Sequence, residues 1–252
     1  MRVSTVATAL AVWLSAVTGS VAAEEPAATA APTPAAVGDS KPAEAKSAEK
    51  TGTPSASDLL FDYPQMKNTA PNAKLTYDYM RRSGIAKGPF GAPLQDTVTL
   101  SLAPGKRPET RDVQVEMFSG LNRRPAGPFE DMEGNPIVSL FLENHLQALA
   151  RVLEANPRYL KLAIRRGLRD RAEVTPTKVT VGGKQVDGWR IVTRPFIDDP
   201  QTERMRGMED LTYTFVTSPD VPGEIVSMEA ASKAKDGGEL LEEKLGYEQK
   251  AG

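Results

Sequence analysis

Apolar and polar residues alternate with period two on both sides of a helical block, and this pattern leaves the chain few folds to choose from. Val98, Leu100 and Leu102 alternate with Thr97, Thr99 and Ser101. Val113, Val115 and Met117 alternate with Asp112, Gln114 and Glu116. Successive side chains on a strand point to opposite faces, so each run predicts a strand with one buried and one wet face. Residues 75–82, with Tyr77 and Tyr79, predict a strand before them, and the Gly- and Pro-rich stretch 84–95 reads as loop. Further on, 174–181 and 186–193 flank Gly182-Gly183, a hairpin signal. Asp187-Gly188 predicts a bulge or a shift of that turn by a few residues. Leu211, Tyr213 and Phe215 alternate with Thr212 and Thr214, and 225–231 forms the last expected strand.

The helical block is punctuated by a repeated dipeptide. Asn135-Pro136 and Asn156-Pro157 each pair a good N-cap with a proline suited to the first helical position. They predict helices over about 136–155 and 157–171, turning sharply at Asn156. Asp199-Pro200 predicts a third, short helix ended by Gly207. Together these elements predict an α+β fold. It is a curved antiparallel sheet of about seven strands, with two consecutive helices inserted after the third strand and lying on one face.

Composition divides the chain. Residues 1–23 read as a secretory signal peptide: Arg2, an apolar run from Val6 to Val17, then Val21-Ala22-Ala23 before Glu24. Residues 24–58 hold ten Ala and five Pro among 35 residues, with no aromatic, Leu, Ile or Met. Such a segment buries too little apolar surface to offset its ordering entropy and reads as a disordered linker or tether. The folded domain is expected at 59–235, with a flexible tail at 236–252. No later segment is apolar and long enough to span a bilayer, so an exported, periplasmic chain is expected after signal cleavage.

The charge and cysteine counts exclude several chemistries. Lys and Arg number 31 against 33 Asp and Glu, which argues against nucleic acid as partner. The absence of Cys removes disulfides, thiolate metal sites, a catalytic thiol and a lipidated Cys. One His removes any site needing two imidazoles. Asp198-Asp199 is explained by helix capping, and no EF-hand spacing, phosphate-binding loop, dinucleotide fingerprint, G-x-S-x-G or H-E-x-x-H occurs. No metal and no cofactor are therefore expected, and an enzyme is not the favoured class.

Two residue sets remain as candidate sites. His145 lies in an apolar stripe with Val138, Phe141, Leu142, Leu149 and Val152, all within about 60° of it at the helical period. It is either a packed core histidine, the favoured reading, or a buried base or pH-sensitive latch. With Trp189 and Phe215 from the strands, Phe141, His145 and Leu149 are the candidate lining of an apolar ligand cavity. The second helix carries Arg158, Lys161, Arg165 and Arg169 within about 40° of Arg165. This stripe, widened by Arg166, Arg171, Arg123 and Arg124, is either a solvated face or a surface for an anionic head or partner.

The strand blocks 75–82, 97–103 and 113–119, the insert 135–171 and the returning hairpins 174–196 and 211–231 resemble, as an architecture, the LolA-like lipoprotein-carrier half-barrels. The chain also looks like other exported proteins of Gram-negative bacteria. The resemblance implies a half-barrel that carries a lipid-like ligand in the periplasm, and it brings no functional residue with it. The leading expectation is thus a binding or carrier protein for a hydrophobic or amphipathic ligand. The alternative is an envelope assembly or scaffold module that meets a protein partner through the Arg-rich helix. A carboxylate hydrolase is a distant third.

Overall fold

The computed structural model describes residues 52–84, 90–234 and 237–248. The signal peptide expected over 1–23 and the linker as far as residue 51 lie outside the described residues. So does part of the expected loop, at residues 85–89.

The fold is α+β. Strands β1 (Lys74–Ser83), β2 (Leu94–Pro104), β3 (Arg111–Met117) and β4 (Arg124–Met132) precede helices α1 (Ile137–Leu153) and α2 (Pro157–Arg166). Strands β5 (Glu173–Val181), β6 (Lys184–Thr193), β7 (Thr212–Thr217), β8 (Ile225–Lys233) and β9 (Glu239–Tyr247) follow. All nine form one open sheet in the order β4-β3-β2-β1-β9-β8-β7-β6-β5. Every neighbouring pair is antiparallel. The expected seven strands are therefore nine, and the helices follow the fourth strand rather than the third.

The topology explains the doubled helix. Strands β4 and β5 are the two opposite edges of the sheet. The chain between them must cross eight inter-strand spacings of about 4.8 Å, roughly 38 Å in all. The 17 residues of α1 and the 10 of α2 provide about 26 Å and 15 Å at about 1.5 Å per residue. Helix α1 starts where expected: Asn135 Oδ1 accepts the Ile137 N–H at 3.1 Å. Glu154, in the left-handed region at φ 49°, ends it. Asn156 then caps α2 by accepting the Arg158 N–H at 2.9 Å. The second helix stops being α-helical at Arg166 and continues to Arg171 as a wider π turn.

Two strands escaped the alternation. Strand β4 contains Pro125, Gly127 and Pro128, lies on an edge, and pairs with β3 through two register shifts, so no clean period survives. Strand β9 occupies the segment expected as a flexible tail, and it sits in the middle of the sheet between β1 and β8. Its inward positions read Leu241, Glu243 and Leu245, and the charged residue among them hides the pattern. The N-terminal boundary also moves. Ser55 and Asp58 cap one another's backbone N–H groups at 3.0 and 3.1 Å, and Ala56, Leu59 and Leu60 are buried, so folded structure begins before residue 59. The short helix expected after Pro200 is reduced to 3-10 turns at Thr202–Arg204 and Met208–Asp210. Asp199 still accepts the Gln201 N–H, and it also accepts the Tyr159 hydroxyl of α2 at 2.6 Å.

The core is the face shared by sheet and helices. Leu75, Tyr77 and Tyr79 of β1, Val98, Leu100 and Leu102 of β2, Val113 and Val115 of β3, and Tyr213 and Phe215 of β7 are all buried. The buried stripe of α1, from Ile137 through Phe141, His145 and Leu149 to Val152, belongs to the same core. Gly182-Gly183 makes the β5–β6 turn as expected. Asp187-Gly188 does not bulge or shift the turn: it runs through the middle of β6 in continuous register with β5. The glycine is needed because a Cβ there would stand 2.5 Å from the Thr217 carbonyl of β7. Gly188→Ala is expected to lower unfolding free energy by about 1–3 kcal/mol, read from urea denaturation, since backbone must move to admit the methyl. A midpoint equal to wild type would contradict this account.

Candidate functional site

The single imidazole of the chain is fully buried against the only fully buried glutamate among the described residues. Helix α1 delivers His145 on its inward face, and Nδ1 lies 2.7 Å from Glu243 Oε2. Strand β9 delivers Glu243, at an inward position between Leu241 and Leu245. The other carboxylate oxygen accepts the Tyr79 hydroxyl from β1 at 2.7 Å and the Asn144 amide at 3.4 Å. Three elements distant in sequence therefore meet on one carboxylate.

The electrostatics agree with an ionised glutamate. Burial pushes the Glu243 carboxyl up, but the His145 hydrogen bond and charge outweigh it, helped by Tyr79 and the Arg81 charge, and the net position is below the ordinary carboxylate range. Burial, and then the charge and hydrogen bond of Glu243, push the Tyr79 phenol well up. Burial and the Glu243 charge do the same for Tyr213. Both phenols are thus neutral, and Tyr79 is a donor to Glu243. An ionised Glu243 requires a proton on Nδ1, which leaves Nε2 as the outer nitrogen of the ring. Among the described residues, neither Nε2 nor the Tyr213 hydroxyl has a hydrogen-bond partner. The surroundings are aromatic: Phe141 stacks on the imidazole at 6.4 Å, Phe90 lies at 6.2 Å, and Tyr213 presents an edge contact at 5.4 Å. A carboxylate–imidazole pair is the beginning of general-base chemistry. Here both side chains are at most 1% exposed, so the arrangement works as a clasp between helix and sheet.

The expected cavity residues are placed as follows. Phe141, His145, Leu149 and Phe215 are all buried in the core, with Phe215 joined to the imidazole through the stacked ring of Tyr213. Trp189 packs half-buried against the core. Two clefts of about 470 and 290 Å³ are described, and neither has any of these five residues in its wall. The larger is bordered by Asp78, Met80, Gln95 and Lys244, on the strand positions facing away from the core.

The basic stripe divides. Arg158, Arg165 and Arg166 are exposed on α2. Lys161 is half-buried, 3.5 Å from Glu143 of α1. Arg169 lies on the π turn, where α-helical angles no longer apply, and it pairs with Asp170 at 2.7 Å. Arg171 donates to the Ile197 carbonyl at 2.8 Å. Arg123 is paired with Glu116 beside edge strand β4, and Arg124 opens that strand. Leu162, 53% exposed, stands on the same helix. No group of acidic or histidine side chains suited to a metal occurs among the described residues.

Sequence reasoning placed Tyr79 and Tyr213 on strands without joining them to His145, and it did not single out Glu243. A signal did exist for Glu243: Leu241-x-Glu243-x-Leu245 keeps period two if the charge is allowed inward. No protein-family model matches this chain. No curated protein matches it either. No described helix is long and apolar enough to cross a membrane.

Proposed function

We propose that this protein is a non-catalytic binding module of the periplasm that docks on an anionic partner surface through the outward face of α2. The carrying observation is the placement of charge. A chain with formal charge −2 exposes Arg158, Arg165 and Arg166 on one ten-residue helix, beside an exposed leucine. Arginine suits this role because its planar fork meets carboxylate and phosphate oxygens in pairs. The inward side of α2, with Leu160 and Ile164, is occupied by the core, so the arginine side is the one available to a partner.

The test is binding to immobilised poly-L-glutamate at low salt. Wild type is expected to bind and to release as salt rises, and Arg158→Glu/Arg166→Glu is expected to bind at least about tenfold more weakly. Binding unchanged by the double reversal would remove α2 from the account.

A second reading, carriage of a hydrophobic or amphipathic ligand, is favoured by one observation. His145 Nε2 and the Tyr213 hydroxyl are buried polar atoms without partners inside an aromatic shell, and leaving such atoms unsatisfied costs about 1–3 kcal/mol each. A ligand with a polar group would satisfy them if α1 moved aside. Native mass spectrometry of gently purified protein is then expected to show a lipid-like adduct. Clean unliganded protein would count against carriage and leave the docking reading standing.

A further inference from the structure

Helix α2 places a single apolar side chain among cations. Positions three and four apart are neighbours on a helix surface, so Arg158, Arg165 and Arg166 lie around Leu162 at i−4, i+3 and i+4. Leu162 is 53% exposed, and all three arginines are exposed. Arg158 and Arg166 hold no ion pair among the described residues. Among the described residues, the acidic groups touching this helix and its π-turn extension are Glu143, 3.5 Å from Lys161, Asp199, which accepts the Tyr159 hydroxyl at 2.6 Å, and Asp170, on Arg169. Past the C-terminal end of α2, Arg171 holds the Ile197 carbonyl, and Ile197 is 38% exposed.

We infer that the partner of this face is the headgroup layer of an anionic phospholipid bilayer, with Arg158 and Arg166 on lipid phosphates and Leu162 entering between headgroups. This rests on the docking reading of α2. Two features select a bilayer over a protein. A fluid headgroup layer moulds itself to a convex face and offers phosphates at no fixed spacing. The pattern of cations around one protruding apolar residue is that of a helix lying in the interface, with long arginine stems spread over the apolar boundary. Ten residues and one inserted leucine hold the protein only reversibly, so binding is salt-dependent. The slightly acidic remainder of the chain is repelled, which fixes the orientation with α2 towards the lipid.

The experiment is co-sedimentation of the exported chain with vesicles of phosphatidylglycerol and phosphatidylcholine, against vesicles of phosphatidylcholine alone, at low and high salt. Binding to the anionic vesicles is expected to exceed binding to neutral ones by about tenfold or more and to fall at high salt. Arg158→Glu/Arg166→Glu is expected to weaken it about 100-fold or more, since each cation at such a surface is worth about fivefold and each reversal counts twice. Leu162→Asn is expected to weaken it severalfold while binding to poly-L-glutamate stays unchanged. Far-ultraviolet circular dichroism checks that each variant is folded. Equal binding to both vesicle types, or anionic binding untouched by the double reversal, overturns the inference. If the chain binds poly-L-glutamate through α2 but ignores anionic vesicles, the docking reading survives and the bilayer does not. If it binds neither, both fall.

Discussion

Ending the chain after Ala234 should abolish folding. Strand β9 pairs with β1 from Tyr77↔Tyr247 to Ser83↔Leu241 and with β8 from Ser227↔Gly246 to Lys233↔Glu239. Its removal leaves two facing strand edges without their ladder partner and strips Leu241, Glu243 and Leu245 from the core. Each buried leucine lost to a cavity costs about 2–5 kcal/mol. With two such leucines at about 4–10 kcal/mol and the ladder hydrogen bonds to both β1 and β8 at about 0.5–1.5 kcal/mol each, the loss exceeds the roughly 5–15 kcal/mol that holds an ordinary domain together. The truncated chain is expected to show no cooperative transition in urea and no dispersed amide spectrum. Leu245→Ala alone is expected to keep the fold and lose about 2–5 kcal/mol. A truncated chain that unfolds cooperatively would mean that β9 is an accessory to the sheet.

The same strand shows where sequence reasoning stops. Strands β1, β2, β3, β5, β6, β7 and β8 were legible because one face is apolar and the other wet, and the period survives in the residues. Both helices were legible because Asn135 and Asn156 cap them through local bonds, which need no knowledge of the rest of the fold. Strand β9 was not legible, because its meaning depends on a partner 98 residues away: Glu243 looks like a solvated charge until His145 is placed opposite it. The edge strand β4 was hidden by its prolines. Gly188 was misread because the Thr217 carbonyl that demands a glycine arrives from another hairpin.

The candidate sites follow the same division. Exposure of the α2 arginines follows from helical period and from the apolar residues on the other side, so it was visible in the sequence. Leu162 was not visible as an exposed residue, because only the final packing decides which leucines remain outside. Of the residues expected to line an apolar ligand cavity, Phe141, His145, Leu149 and Phe215 are buried and Trp189 is half-buried, and burial alone does not say whether a ligand shares their space. That depends on how the rings of Phe90, Phe141, Tyr213 and Phe215 fill the volume beneath α1, which periodicity cannot encode.

The clasp between α1 and the sheet should be dispensable as a unit and indispensable in part. Glu243→Leu removes the carboxylate that engages both His145 and Tyr79, leaving an imidazole and a phenol unsatisfied in an aromatic core. Removing one member of a buried hydrogen-bonded group that carries a charge costs about 3–5 kcal/mol, whereas replacing the whole group by apolar residues is often neutral. The triple variant Tyr79→Phe/His145→Leu/Glu243→Leu is therefore expected within about 1–2 kcal/mol of wild type, and the single variant well below it. Acid sharpens the test. The folded carboxyl lies below the ordinary value of 4.5, so its contribution is fully present above that pH and is lost as pH falls through the lower folded value. Wild type should lose stability along that acid limb, and the triple variant should lose measurably less. Urea midpoints taken from neutral pH down to about pH 3 read both effects. If the triple variant is as unstable as Glu243→Leu, or if its acid limb is as steep as that of wild type, then the carboxylate contributes to the core by shape, and its charge and hydrogen bonds are incidental.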